Sequence, residues 1–176
     1  IKTDILPIGS KKIDRDIKYI YKLDQSTARF LKENLAVATS QYADSSSVME
    51  YENLDNEKIV VSQLEISQIV ESRLEEILKS VKNSLNNLTN REISYIIVTG
   101  GITELTGFNA VLENTLGINA STLNDSNMGI RNNKFSSAVG IIKYFDKKME
   151  LRDKIYSMFD KNQIDKITLS IRLRFN

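Results

Sequence analysis

The run Ile93-Ser94-Tyr95-Ile96-Ile97-Val98-Thr99-Gly100-Gly101 most constrains what this chain can fold into. β-Branched residues suit a pleated core surface, so the run predicts a buried strand. It stops at two adjacent glycines, which turn the backbone tightly and let it approach a ligand with no Cβ in the way. A third glycine, Gly107, and Phe108 then predict the opening of a helix, closed by Gly117. The unpaired N–H groups of a helix start suit phosphate or ribose oxygens. Strand–Gly–Gly–helix is therefore a candidate nucleotide contact, although the same pattern also describes a plain strand-to-helix turn. Neither of the common phosphate fingerprints, G-x-x-x-x-G-K-S/T or G-x-G-x-x-G, occurs in the chain.

Histidine and cysteine are both missing from the 176 residues. That excludes Ser-His-Asp and Cys-His catalysis, thiol redox chemistry and the usual zinc sites. A magnesium site built from carboxylates stays open, but no acidic cluster marks one. A lack of thiols fits a reducing compartment. With 41% hydrophobic and 27% charged residues the composition is that of a folded globular protein. The formal net charge of +1 gives no argument for a nucleic-acid partner. No apolar run is long enough to span a bilayer. The chain starts at Ile1, not Met, inside a strand-like segment, and is expected to be a piece of a longer protein.

Along the chain, residues 1–8 read as extended, up to Pro7-Ile8-Gly9-Ser10. A helix comes next, with Ile13, Ile17 and Ile20 on one face. Asp24 can cap a second helix in which Thr27, Leu31, Leu35 and Ala38 recur at helical spacing. Val48–Tyr51 and Glu57–Val61 predict a hairpin around Asn53-Leu54-Asp55-Asn56. Ser62-Gln63-Leu64-Glu65 is a capping box, with Val61 and Ile66 placed for a hydrophobic staple. The long helix it opens carries the stripe Ile66, Ile69, Val70, Leu74, Ile77, Val81 and Leu85, and Asn86-Asn87 end it. Ser136–Tyr144 predicts a helix with a face of small residues including Gly140, suited to close packing on a sheet or ligand loop, or to ordinary packing.

From Lys147 the chemistry changes. Leu151, Ile155 and Phe159 share one side of a predicted helix, flanked by Lys147, Lys148, Arg152, Lys154 and Lys161. Residues 167–175 alternate with period two, as a strand does. A basic amphipathic tail can lie on an anionic membrane, or pack on its own domain or on a neighbouring chain.

Taken together, these segments resemble the actin-like ATPases, and within them the FtsA family of bacterial cell-division proteins. Val98–Phe108 is similar to the family's adenosine motif. Leu6–Ile17 is similar to its proline-x-glycine-glycine segment ending in Asp-Ile. Ile66–Ile77 is similar to the long outer-lobe helix, and Phe135–Tyr144 to the last core helix. The likeness spans about residues 4 to 145 in one order. It implies an α/β fold, an actin-like (ribonuclease-H-like) lobe. Residues 1–23 and 93–146 would form an inner subdomain, 24–92 an outer one with a helix, hairpin and long helix, and 147–176 a basic tail. This would be the second lobe only. The phosphate hairpins and the residues that orient water would lie upstream, so no hydrolysis is expected from this chain alone.

The resemblance also implies roles. Thr99, Gly100, Gly101 and Ile102 would turn their backbone toward the adenosine of ATP, held with magnesium in the full-length protein. The family's Ala-Glu-x-x-Lys helix reads Ala28-Arg29-Phe30-Leu31-Lys32 here, so Lys32 matches a nucleotide contact while Arg29 replaces the ribose-binding carboxylate. A guanidinium only donates hydrogen bonds, whereas a carboxylate accepts them from ribose hydroxyls. Arg73 matches an arginine that the family turns toward the C-terminal peptide of the tubulin-like FtsZ; by itself it suits an acidic peptide or pairs with Glu76 on its own helix. Leu151, Ile155 and Phe159 would grip the inner face of the cytoplasmic membrane at the division site. The implied function is an adaptor that polymerises on the membrane and tethers FtsZ filaments. Another actin-like scaffold, as in pilus assembly, or a true ATPase of the same fold is the alternative.

Overall fold

The computed structural model describes residues 2–123 and 132–150. The chain divides into two units, one ending at Ser136 and the other beginning at Ser137.

In the first unit, residues 2–9 form no regular element, so the extended segment expected there is not a strand. Helix α1 (Ser10–Tyr21) buries Ile13 and Ile17 completely and ends at Lys22, which takes the left-handed conformation. Each fully buried isoleucine stabilises the fold by about 1.5–3 kcal/mol relative to leaving it in water. Ile20, placed on the same face by spacing, is instead 55% exposed. Helix α2 (Gln25–Asn34) starts where expected: the Asp24 carboxylate accepts the amides of Ser26 and Thr27. These bonds, with the Ser26 and Thr27 hydroxyls, hold that carboxylate well below its ordinary pKa.

Strands β1 (Val48–Glu52) and β2 (Lys58–Ser62) form the antiparallel hairpin, with Tyr51 opposite Ile59 and Met49 opposite Val61. Asn53 builds the tip, its side-chain oxygen accepting the amides of Asp55 and Glu57, both at 2.9 Å. Helix α3 (Gln63–Leu88) then opens on the complete capping box of Ser62 and Glu65. Val61 and Ile66, the staple pair, are both fully buried. The buried line along α3 is Ile66, Val70, Leu74 and Leu78. Leu78 is buried and Ile77 only half-buried, because the buried positions advance by four along a row that winds slowly round the helix.

Strand β3 is shorter and more open than its sequence suggests. Only Ile96–Val98 pairs, in parallel with β4 (Ala120–Thr122), and Tyr95 and Ile97 are 70% and 53% exposed. Among the described residues β4 is its one partner strand, and successive side chains of β3 alternate between the core and solvent. Between β3 and β4 run a 3₁₀ turn, Gly101–Glu104, and helix α4 (Phe108–Leu116). One apolar core joins α1, α2, α3, α4 and β4 through residues such as Leu31, Leu74, Leu112 and Ala120.

Helix α5 (Ser136–Glu150) forms as expected and runs without a break through Lys147 and Lys148, where the change in sequence chemistry begins. A Cβ built on Gly140 meets no described atom within 4 Å. Residues 151–176, with Leu151, Ile155, Phe159 and the alternating stretch 167–175, lie outside the described residues, as does the turn-rich stretch 124–131. Among the described residues no helix is long and apolar enough to cross a membrane.

Candidate functional site

The glycine pair sits at the carboxyl end of β3, the end of parallel strands at which open α/β sheets bind ligands. Gly100 takes φ 119 and ψ 166, a conformation open essentially to glycine alone. Its carbonyl accepts the amide of Thr103 at 3.1 Å and the hydroxyl of the same residue at 2.8 Å. The backbone therefore passes first into a tight 3₁₀ turn, and α4 opens at Gly107-Phe108, where the glycine and the aromatic residue predict a helix start. The helix N-terminus lies seven residues beyond Gly101, at Phe108. Thr99 and Gly101 are exposed, and Gly100 and Ile102 half-buried. Glu104 ties the turn to the 132–135 segment by accepting the Asn133 amide at 2.7 Å.

The far end of this loop is tied to the segment after α2. The Ala38 amide donates to the Thr106 carbonyl at 2.8 Å. Gly107, at φ 84, leaves no room for a side chain: a Cβ there would stand 2.7 Å from Tyr42 and 3.0 Å from Thr39. Glu71 of α3 in turn accepts the Thr39 hydroxyl (2.7 Å), the Ser40 hydroxyl (2.6 Å) and the Ser40 amide (2.8 Å). Burial works to raise the Glu71 pKa, but these bonds outweigh it and the carboxyl lies below its ordinary range.

Lys32 is neither solvated nor free. Its ammonium lies 2.5 Å from the Asp14 carboxylate of α1, and both side chains are under a tenth exposed. The charge that the resemblance would bring to a nucleotide is matched here by Asp14 inside the protein. Arg29 points outward and pairs with Glu33 at 2.8 Å.

Arg73 is also engaged. Its Nε donates to one Asp16 oxygen at 2.7 Å and its Nη2 to the other at 3.1 Å, a bidentate bridge between α3 and α1. Its Nη1 donates to Glu76 one turn along. The Asp16 hydrogen bond raises the guanidinium pKa further, against a smaller opposing effect of burial. This pair floors an open groove of about 430 Å³ between the two helices, lined by Asp16, Tyr19 and Ile20 of α1 and Ile69, Arg73 and Glu76 of α3. Tyr19 is 87% exposed.

Asp14 and Asp16 both lie in the Leu6–Ile17 segment, and Glu71 lies on the long helix, with no local signal that marks any of them. Nothing in local spacing connects residues 14 with 32, 16 with 73 or 40 with 71, since each pair joins separate elements. Among the described residues no group of acidic side chains could hold a metal ion.

A parallel strand pair bearing a glycine loop at its carboxyl end, next to a helix, a hairpin and a long helix, defines the class: the chain is an actin-like α/β lobe. It superposes on the crystal structure of MreB5 of Spiroplasma citri bound to ADP with a TM-score of 0.62 and 17% identity, covering 82% of this chain and 47% of that one. Within that class, the profile of the family described as Cell division protein FtsA matches residues 1–140, and the chain belongs to this family. It is 25% identical over 144 residues to the FtsA of Bacillus subtilis, covering 81% of this chain and 33% of that protein. It is 26% identical over 141 residues to that of Enterococcus hirae, covering 77% and 31%. It is 25% identical over 165 residues to that of Staphylococcus epidermidis, covering 93% and 36%. The chain thus spans about a third of the length of these curated relatives.

Proposed function

We propose that this cell-division, actin-like chain is one wall of an ATP site and that the whole protein tethers FtsZ to the membrane. The observation that carries the reading is the backbone of Thr99–Ile102. It projects from the carboxyl end of a parallel strand in an FtsA-family chain, with a glycine where a side chain would be strained. In this reading the loop lies along ribose and adenine, and magnesium and the phosphates are held mainly by the other lobe. The ADP of the MreB5 structure, a protein of the same fold, supports it. Arg29 leaves the ribose hydroxyls without their usual acceptor, and the Asp14–Lys32 pair takes no part in binding. The α1–α3 groove receives a peptide of FtsZ, the protein self-associates, and the basic tail with Leu151, Ile155 and Phe159 holds it to the inner face of the membrane.

The test is titration of a fluorescent ATP analogue into the full-length protein, with Gly101→Val alongside, and of labelled FtsZ C-terminal peptide, with Ile69→Glu and Arg73→Glu. Saturable nucleotide binding weakened at least tenfold by Gly101→Val supports the site. Peptide binding lost in the groove variants supports the adaptor. Folded protein that binds neither sinks the reading and leaves an actin-like scaffold with other partners.

A further inference from the structure

One side of α3 carries a polar row at positions i, i+4 and i+8, namely Gln63, Ser67 and Glu71. Each of the three binds the chain that follows α2. The Gln63 side-chain amide donates to the Leu35 carbonyl at 2.8 Å. The Ser67 hydroxyl, fully buried, accepts the Val37 amide at 3.0 Å. Glu71 completes the row: one carboxylate oxygen accepts the Thr39 hydroxyl, the other the amide and the hydroxyl of Ser40. The Ala38 amide, between these, donates to the Thr106 carbonyl instead. Thr39 and Tyr42 stand against Gly107. Segment 35–42 is thus held by α3 on one side and holds the far end of the glycine loop on the other. Its 3₁₀ turn, Ser40–Tyr42, buries no residue of its own. A turn with so little buried surface opens at low cost unless bonds from a rigid element hold it. Glu71 supplies three, all to a charged acceptor, which are the strong kind.

We propose that Glu71 is a positioning residue of the nucleotide loop: through Thr39 and Ser40 it fixes the segment that holds Thr106 and Gly107, and with them the place of Thr99–Ile102. This rests on the reading of that loop as one wall of an ATP site. Glu71 acts through segment 37–42 and touches no ligand itself. Loss of its carboxylate frees the Ser40 turn, loosens the Ala38–Thr106 bond and lets the loop leave the position in which it lies along ribose and adenine. The binding-competent population then falls, and apparent affinity falls by the same fraction.

The experiment compares four variants with wild type in the full-length protein. Glu71→Ala removes all three bonds, and Glu71→Gln still offers an acceptor to the Ser40 amide. Thr39→Val removes one bond and keeps a methyl against Gly107, so it decides the matter should Glu71→Ala not fold. Asn53→Ala is the control, since it loosens the hairpin tip and Asn53 bonds neither segment 35–42 nor the loop. The first readout, taken without nucleotide, is hydrogen exchange at the Ala38, Thr103 and Leu105 amides, all bonded within the segment and the loop. Exchange there is expected to be about tenfold faster in Glu71→Ala, the scale of one lost hydrogen bond to a charged group. Thr39→Val should move the same amides less, and Asn53→Ala should leave them unchanged. The second readout is affinity for a fluorescent ATP analogue, expected to fall by a similar factor in Glu71→Ala and to be largely restored in Glu71→Gln. Unchanged exchange in Glu71→Ala and Thr39→Val, equal acceleration in Asn53→Ala, or wild-type affinity in Glu71→Ala overturns the proposal. If wild type binds no analogue, the ATP reading falls, and the exchange rates alone decide whether Glu71 holds the loop.

Discussion

Asp14 and Lys32 form an ion pair across α1 and α2, each side chain under a tenth exposed, next to the fully buried Ile13 and Leu31. Two charges taken out of water are tolerated because each satisfies the other. Removing one partner leaves the other buried and unmatched. Asp14→Ala is expected to cost about 3–5 kcal/mol, and the apolar double variant Asp14→Leu with Lys32→Met to recover most of it. Urea unfolding of wild type, single and double variants measures both numbers. A single variant as stable as wild type would show the pair to be solvated.

Gly107 is predicted to be the most demanding of the described glycines. Its φ of 84 disfavours a side chain, and Tyr42 and Thr39 fill the space one would take. Gly107→Ala should destabilise by more than about 1 kcal/mol, through strain and displacement of Tyr42 together. Gly140→Ala should do the opposite, because Gly140 lies inside α5 and a Cβ there meets no described atom within 4 Å. There alanine gains about 0.5–1 kcal/mol of helix stability. Thermal denaturation followed by circular dichroism separates the two signs.

Glu71 predicts a pH dependence. Its carboxyl is depressed below its ordinary value of 4.5 by the bonds from Thr39 and Ser40. A carboxylate favoured in the folded state contributes stability that is complete above the unfolded pKa and is lost as pH falls through the lower folded value. Glu71→Gln should therefore be less stable than wild type at neutral pH by about 1.5 kcal/mol, the scale of hydrogen bonds to a charged group. The gap should close as pH drops below 4.5. Denaturant midpoints at pH 7 and at successively lower pH test it, and a gap independent of pH would contradict it.

The capping box at the start of α3 gives a simpler test. Ser62 accepts the Glu65 amide at 3.2 Å, and Glu65 returns a bond from the Ser62 amide at 3.1 Å. Ser62→Ala is expected to lower stability by about 1 kcal/mol, with the helix start fraying in hydrogen exchange at Glu65 and Ile66. Protection unchanged at those amides would mean that packing alone fixes the helix start.

Wherever structure depends on a few neighbouring residues, the sequence by itself determined it. The Asp24 cap, the Ser62–Glu65 box, the Asn53 turn and the opening of α4 at Gly107 are each built within about five residues. Side-chain oxygens and glycine act there on adjacent backbone groups, so their chemistry can be read in order along the chain. The Gly100-Gly101 turn was legible for the same reason. The 3₁₀ turn beyond it was not, because nothing in Ile102-Thr103-Glu104 says that Thr103 will fold back onto the Gly100 carbonyl. The partners of charged side chains were decided only by tertiary structure. Lys32 meets Asp14, Arg73 meets Asp16 and Glu71 meets Ser40 across separate elements. A charge on a helix looks the same in sequence whether it faces water, a partner or an opposite charge. Only the packing of α1 against α2 and α3 removes it from solvent, and that removal decides whether it must be matched inside the fold or is left for a ligand.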